Sequence, residues 1–222
     1  MVSAPVLFGP IARDYERWAT FLSFGQDPRW RAALVAGLDL PPGARVLDVA
    51  AGTGAITQLL RARGWRPIAL DITEPMLHRA AARGLVSVRG TADQLPFGSA
   101  TFDGLTFSYL LRYASDPPHT LRALGRVLRP GGVIGMLEFG RPQGVWGPWW
   151  TLYTRLGLPV AGSLIGHGWG EVGRFLGPSI DAFHRRFPPA ALQELWQRAG
   201  FEDVRVQPLS LGGGLVLWAR KR

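Results

Sequence analysis

The sequence predicts an α/β fold, a mostly parallel sheet with helices on both faces. Three observations carry this. Between residues 44 and 138, short apolar runs alternate with helix-patterned stretches, the order that covers both faces of a parallel sheet with crossover helices. The first apolar run ends in a glycine turn that opens a helix. Two late apolar runs, 204–207 and 215–220, are joined only by residues 208–214. That link is too short for a crossover helix, so this last pair is expected to be antiparallel.

The elements follow in order. Ile11, Tyr15, Trp18 and Leu22 recur every three to four residues, as on one helix face. Asp27-Pro28 reads as an N-cap and first-turn proline for a helix over 29–38, stopped by Pro41-Pro42-Gly43. Residues 44–49 suit a buried strand. Gly52-Thr53-Gly54 turns into a helix over 56–63. A strand over 67–70 ends at Asp71, and Thr73 is placed to cap a helix over 74–83. Strands are expected at 85–89 and 102–108. A helix over 116–128 has Asp116 as cap and two prolines in its first turn. Arg129-Pro130-Gly131-Gly132 breaks the chain before a strand at 133–138. A helix over 188–199 precedes the final strand pair. The segment 140–186 departs from this rhythm. It holds Trp146, Trp149, Trp150, Tyr153 and Trp169 among many glycines, and its length permits two or three helices. One domain over 1–222 is expected: a helical cap at 1–40, a core at 41–139, an insertion at 140–186, and a terminal helix and strand pair at 187–222.

Composition removes several classes of chemistry. In 222 residues there is no cysteine, so disulfides, thiolate metal sites and Cys nucleophiles are excluded. The four histidines are scattered and form no HExxH or HxH pattern, so no metal site is expected. The formal charge is +9, with Lys221 the only basic residue that is not Arg. That balance favours acidic partners without choosing among them. No apolar run is long enough to span a bilayer, and the first residues lack the charged-then-apolar order of a signal peptide. A cytoplasmic protein is expected.

The strongest chemical signal is VLDVAAGTG, residues 46–54: a buried strand, a glycine turn, a helix start. Glycine lets a ligand approach the backbone, and the helix start offers free N–H groups. Asp71, seventeen residues beyond Gly54 at the tip of the next strand, is placed to take both hydroxyls of a ribose. A dinucleotide fingerprint requires a third glycine where Thr57 stands. Asp48, just before the turn, suits a ligand with positive charge, which favours S-adenosylmethionine over a pyrophosphate.

VLDVAAGTG, ALDIT, GTADQLPF, ATFDGLTFSYLLRY and LRALGRVLRPGGVIGMLEF together resemble the class I S-adenosylmethionine-dependent methyltransferases. FGPIARDYERWATFLSFGQDPRWR, FLGPSIDAF and LQELWQRAGFEDVRVQPLSLGG are similar to stretches of the ubiquinone/menaquinone biosynthesis C-methyltransferases. The resemblance implies a Rossmann-like sheet of seven strands with the last antiparallel, an N-terminal helical lid and S-adenosylmethionine as cofactor. It implies a cofactor site of Tyr15, Asp48, Ala50, Gly52, Thr53, Gly54, Asp71, Ile72, Met76, Thr91, Ala92, Asp93 and Ser108. Thr53 and the glycines would hold the methionine end, Asp71 the ribose, and Thr91-Ala92 with Asp93 the adenine. The chain departs from the family at Leu110, Tyr113, Ala19, Glu16 and Trp218, positions expected near the acceptor.

The expected acceptor is a small apolar aromatic, a prenyl quinol methylated on carbon. A phenol, polyketide, amine or other lipid, or a non-catalytic accessory protein that only binds the cofactor, are the alternatives. Candidate catalytic residues are Arg112, Tyr113, Tyr109, Glu138 and His167. Arg112 is cast as a stabiliser of phenolate, because a guanidinium hardly gives up its proton. The Trp-rich insertion would cover the acceptor, and exposed Trp and Arg allow peripheral contact with a membrane. Asp116-Pro117-Pro118-His119, which looks like an amine-methyltransferase motif, is read as a helix cap. No nucleic-acid partner is expected, because there is no separate binding module and no Cys nucleophile for pyrimidine chemistry.

Overall fold

The computed structural model describes residues 4–222; residues 1–3, the start of the expected cap, lie outside the described residues. Seven strands are formed: β1 (Arg45–Val49), β2 (Arg66–Asp71), β3 (Ser87–Arg89), β4 (Phe102–Ser108), β5 (Leu128–Phe139), β6 (Phe201–Leu209) and β7 (Gly214–Lys221). They make one sheet in the order β3-β2-β1-β4-β5-β7-β6. The first five pair in parallel. β7 is antiparallel to both β5 and β6, as the short link requires.

Successive strand residues face opposite sides, and two cores result. Leu47, Leu105, Phe107, Met136 and Leu217 pack with Leu121 and Leu124 of α6 (Pro117–Val127) and Trp196 of α10 (Pro189–Arg198). On the other face, Val46, Val133 and Trp218 pack with Trp30 and Leu34 of α3 (Gln26–Ala36) and Ile56 and Leu60 of α4 (Ala55–Ala62). α5 (Glu74–Ala82) lies against β2 and β3. A third cluster joins the N-terminal helices α1 (Ala4–Phe8) and α2 (Tyr15–Leu22) to Trp169 and Val172 of α9 (Trp169–Arg186).

Residues 144–165 form one nearly unbroken helical rod. It comprises a 3-10 turn, α7 (Gly147–Leu152), a π-helical turn (Tyr153–Gly157) and α8 (Leu158–Ile165). α9 runs back beside it, with Gly162, Gly173 and Gly177 at the close approach. The insertion is therefore a helical hairpin. It is tied to the N-terminal helices where the Tyr153 hydroxyl donates to the Leu22 carbonyl.

Three local expectations need correction. Ile11 is not on a helix with Tyr15: Gly9-Pro10 ends α1, and Ile11 sits in the turns that follow, buried against Leu7 and Trp169. Proline lacks the N–H that would continue the helix. Asp27 is not the cap of α3. That helix starts at Gln26 after Gly25, which leaves the Asp27 carboxylate free for tertiary partners. Arg129–Gly132 does not interrupt the sheet. β5 already pairs at Leu128 with Phe102 and resumes at Val133 with Gly104, so the glycines form a bulge within the strand. The cap at Asp116 is as expected, its carboxylate accepting from His119 N at 3.0 Å.

Candidate active site

The strand order reverses between β1 and β4. Ligands of open α/β sheets bind beyond the strand ends at such a switch point. Two adjoining cavities lie there, of about 270 and 400 Å³.

The first cavity is built on the loop after β1. Gly52 lines it with φ +56, a left-handed conformation that costs glycine nothing. Its N–H donates to Asp71 Oδ2 at 2.8 Å, and Thr73 N donates to Asp71 Oδ1 at 2.7 Å. The β2 carboxylate thus fastens the glycine loop to the start of α5. Burial raises the Asp71 pKa against the pull of these N–H groups. Ala50, Thr53, Ile72, Met76, Thr91, Ala92, Asp93, Ser108 and Tyr15 also line this cavity. The Asp93 carboxylate accepts from Thr120 Oγ1 at 2.5 Å. Thr53 Oγ1 donates to Glu16 of α2, which also takes Arg83 Nη1 at 2.5 Å. These contacts latch α2 onto the glycine loop and hold the Glu16 pKa down in spite of its burial.

Two expected cofactor residues are not on the wall. Asp48 is buried beneath it, accepting from Thr57 Oγ1 at 2.6 Å and Thr106 Oγ1 at 2.9 Å. Thr106 is its register partner on β4. Burial lifts its pKa to about 6. The threonine that spoils the dinucleotide fingerprint is thus a partner of this buried acid. Gly54 opens α4 with φ +82, and a Cβ there would lie 2.4 Å from Leu85 Cδ1. Its place is fixed by helix packing.

The second cavity is almost entirely apolar. Trp146, Trp149, Trp150, Tyr153 and Trp169 of the insertion all line it, opposite Ala19 and Trp30 of the N-terminal helices and Phe139. Phe8, Tyr15, Tyr109 and Tyr113 line both cavities and form the shared wall. Tyr15 stacks on Trp169 at 6.1 Å, Tyr113 on Phe175 at 5.3 Å and Tyr109 on Phe139 at 4.5 Å. The three phenols have raised pKa values, burial being the main cause. Tyr109 donates to Asp27 Oδ1 at 2.8 Å. The buried Tyr113 hydroxyl has no partner.

Arg112 reaches the second cavity. Its side chain is 1% exposed, and Nε donates to Glu138 Oε1 at 2.7 Å. Nη1 donates to Ser179 at 2.8 Å. Burial works against its charge, but Glu138 outweighs it and the pKa is raised. Glu138 itself lines neither cavity and lies behind the guanidinium. His167 lies apart, exposed in the turn between α8 and α9 and lining neither cavity. Trp218 likewise lines neither cavity. It is buried under α3, where its Nε1 donates to the Leu34 carbonyl at 2.9 Å.

Sequence reasoning missed Asp27 and Arg31. Arg31 lines the first cavity and pairs with Asp27 at 2.8 Å, and Asp27 lines the second. Their i,i+4 spacing on a helix was the available signal.

Residues 4–221 match the model of the ubiE/COQ5 methyltransferase family. The chain belongs to this family. It is an S-adenosylmethionine-dependent methyltransferase of that group, with S-adenosylmethionine as cofactor. A curated relative from Mycobacterium tuberculosis (strain ATCC 25618 / H37Rv), named demethylmenaquinone methyltransferase, is 36% identical over 95% of this chain and 88% of its own length. One of the same name from Mycolicibacterium paratuberculosis is 36% identical over 97% and 92%. Among solved structures, a Thermotoga maritima S-adenosylmethionine-dependent methyltransferase shares the fold (TM-score 0.69, 21% identity, 98% of this chain and 99% of that one). So does Haemonchus contortus phosphoethanolamine N-methyltransferase 2 in complex with S-adenosyl-L-methionine (TM-score 0.63, 13% identity, 87% and 52%). The cavity fits this cofactor by chemistry: acidic Asp71 and Asp93 on one wall, an open glycine loop, and apolar Ile72 and Met76 between them.

Proposed function

We propose that this family member methylates a ring carbon of a reduced prenyl quinol, a demethylmenaquinol-like acceptor. The observation that carries the reading is the shared wall of tyrosines between the glycine-loop cavity and a larger aromatic cavity. The name of the relatives at 36% identity points to the same acceptor class. When bound, the cofactor supplies an activated methyl group on a sulfonium. The chain supplies position and proton handling. In this reading Asp71 takes the ribose, Thr91, Ala92 and Asp93 the adenine, and Gly52, Thr53 and Ser108 the amino-acid end. The insertion, closed against α2, covers the acceptor and excludes water.

A ring carbon becomes nucleophilic when a neighbouring hydroxyl loses its proton. Tyr109 is placed to pass that proton on, with its hydroxyl already donating to Asp27. Arg112, held in its charged form by Glu138, stabilises the phenolate. The opposite face of residues 144–165 leaves Leu152, Leu156, Val160 and Leu164 exposed along one helical stripe. We assign this stripe to peripheral contact with the bilayer that holds such an acceptor, met from the cytoplasm. No described helix is long and apolar enough to cross a membrane.

The test uses methyl-labelled S-adenosylmethionine with demethylmenaquinone, with and without chemical reduction, followed by organic extraction. Label is expected on the quinol, and only in the reduced sample. Cofactor retention with no labelled quinol would overturn the acceptor.

A further inference from the structure

We propose that Arg31 is the receptor for the cofactor's carboxylate. This rests on the assignment of the glycine-loop cavity to S-adenosylmethionine. Nothing in the glycine loop or its acidic partner supplies a positive charge, yet the amino-acid end of that cofactor carries an anion. Among the described residues, Arg31 is the one cation on the wall of this cavity, and the carboxylates there are Asp71 and Asp93. Arg83 also reaches the loop, but its Nη1 is engaged by Glu16, the Thr53 carbonyl and Gln58, and it is not on the wall.

The guanidinium is held ready for a second partner. Arg31 is 8% exposed. Its Nη2 is paired with Asp27 Oδ2 at 2.8 Å, while its Nε is buried with no partner. A buried donor without an acceptor is costly to leave unmade. Asp27 is fixed from its other oxygen by Tyr109, and the Tyr15 ring lies 6.0 Å from the guanidinium carbon. One nitrogen of the guanidinium is thus held by a structural acid. The donors that Asp27 leaves, on a side chain that lines the cavity, suit a ligand carboxylate as charge-assisted partners. Because Arg31 sits on α3, and its neighbours sit on α2 and just after β4, the cap helices complete the cofactor site.

The test compares two ligands by calorimetry: S-adenosylhomocysteine, and its decarboxylated analogue S-adenosylthiopropylamine. Wild type should bind the first more tightly. Arg31→Gln should weaken S-adenosylhomocysteine by about tenfold to a hundredfold, the range for a charge-assisted pair, and leave the decarboxylated analogue within about twofold. Arg31→Lys should recover part of the loss. Asp27→Asn/Arg31→Gln, which leaves no unpaired buried acid, should show the same selectivity. Equal losses for both ligands, or no loss for either, would overturn the proposal. So would failure of both variants to bind either ligand, since Arg31 would then be holding the fold. A null result in the quinol assay with this selectivity intact would remove the acceptor and leave Arg31 in place.

Discussion

Asp48 shows how a single residue can be placed by sequence while its partners stay hidden. Its position before a glycine turn was legible. Its partners, Thr57 on α4 and Thr106 on β4, lie nine and fifty-eight residues away and meet only in the fold. Its raised pKa, from 3.8 to about 6, has a thermodynamic consequence. Between those values the folded chain binds more proton than the unfolded one, so this group's contribution to stability falls as pH rises from about 4 to about 6. Asp48→Asn cannot titrate. Its melting temperature relative to wild type should therefore move in the variant's favour from pH 4 to pH 7, and a constant difference would remove the buried-acid account. Tyr109 tests the chemistry at the same scale. Tyr109→Phe keeps the ring that stacks on Phe139 at 4.5 Å and removes the hydroxyl. Methyl transfer should fall by about a hundredfold, as for loss of a proton-transfer group, while calorimetric affinity for S-adenosylhomocysteine changes little.

The strands were legible as apolar runs, and their centres were placed correctly. Their ends depended on pairing. β5 extends back to Leu128 because β4 offers Phe102 as a partner, which no local pattern contains. α3 starts at Gln26, and the freed Asp27 joins Arg31 and Tyr109. The glycine turn illustrates two demands on one motif. Gly52 serves the cavity wall, whereas Gly54 serves the approach of α4 to Leu85. Gly54→Ala combines a positive φ with an overpacked contact and should cost about 2–4 kcal/mol. Thermal denaturation should show a loss of roughly 5–15 °C in Tm; an unchanged Tm would mean that α4 shifts without cost.

Across the whole molecule, the site is a meeting of three parts of the chain. The N-terminal helices bring Phe8, Tyr15 and Arg31, the C-terminal ends of the strands bring Gly52, Asp71 and Tyr109, and the insertion brings its tryptophans. The insertion's outer stripe remains apolar, with Leu156 57% and Leu164 84% exposed. If that stripe meets a bilayer, Leu156→Ser/Leu164→Ser should reduce co-sedimentation with phospholipid vesicles several-fold, since each change removes buried apolar area from the contact. Methylation of a short-chain, water-dispersed quinol should be unaffected. Equal sedimentation of variant and wild type would take the stripe out of the membrane contact.

The sequence by itself determined the α/β class, the antiparallel last strand pair, the family and its cofactor, because these rest on local patterns and on contiguous motifs. Asp71 could be named because a strand tip and a glycine turn have fixed geometry. The tertiary structure alone decided which polar groups face a cavity and which support it from behind. Asp48 and Glu138 turn out to be buried partners, and Arg31 and Asp27 become wall residues. The physical reason is that a buried charge is stabilised by groups brought to it from other elements. Those pairings are made across the sheet and between helices, at separations the linear chain does not display.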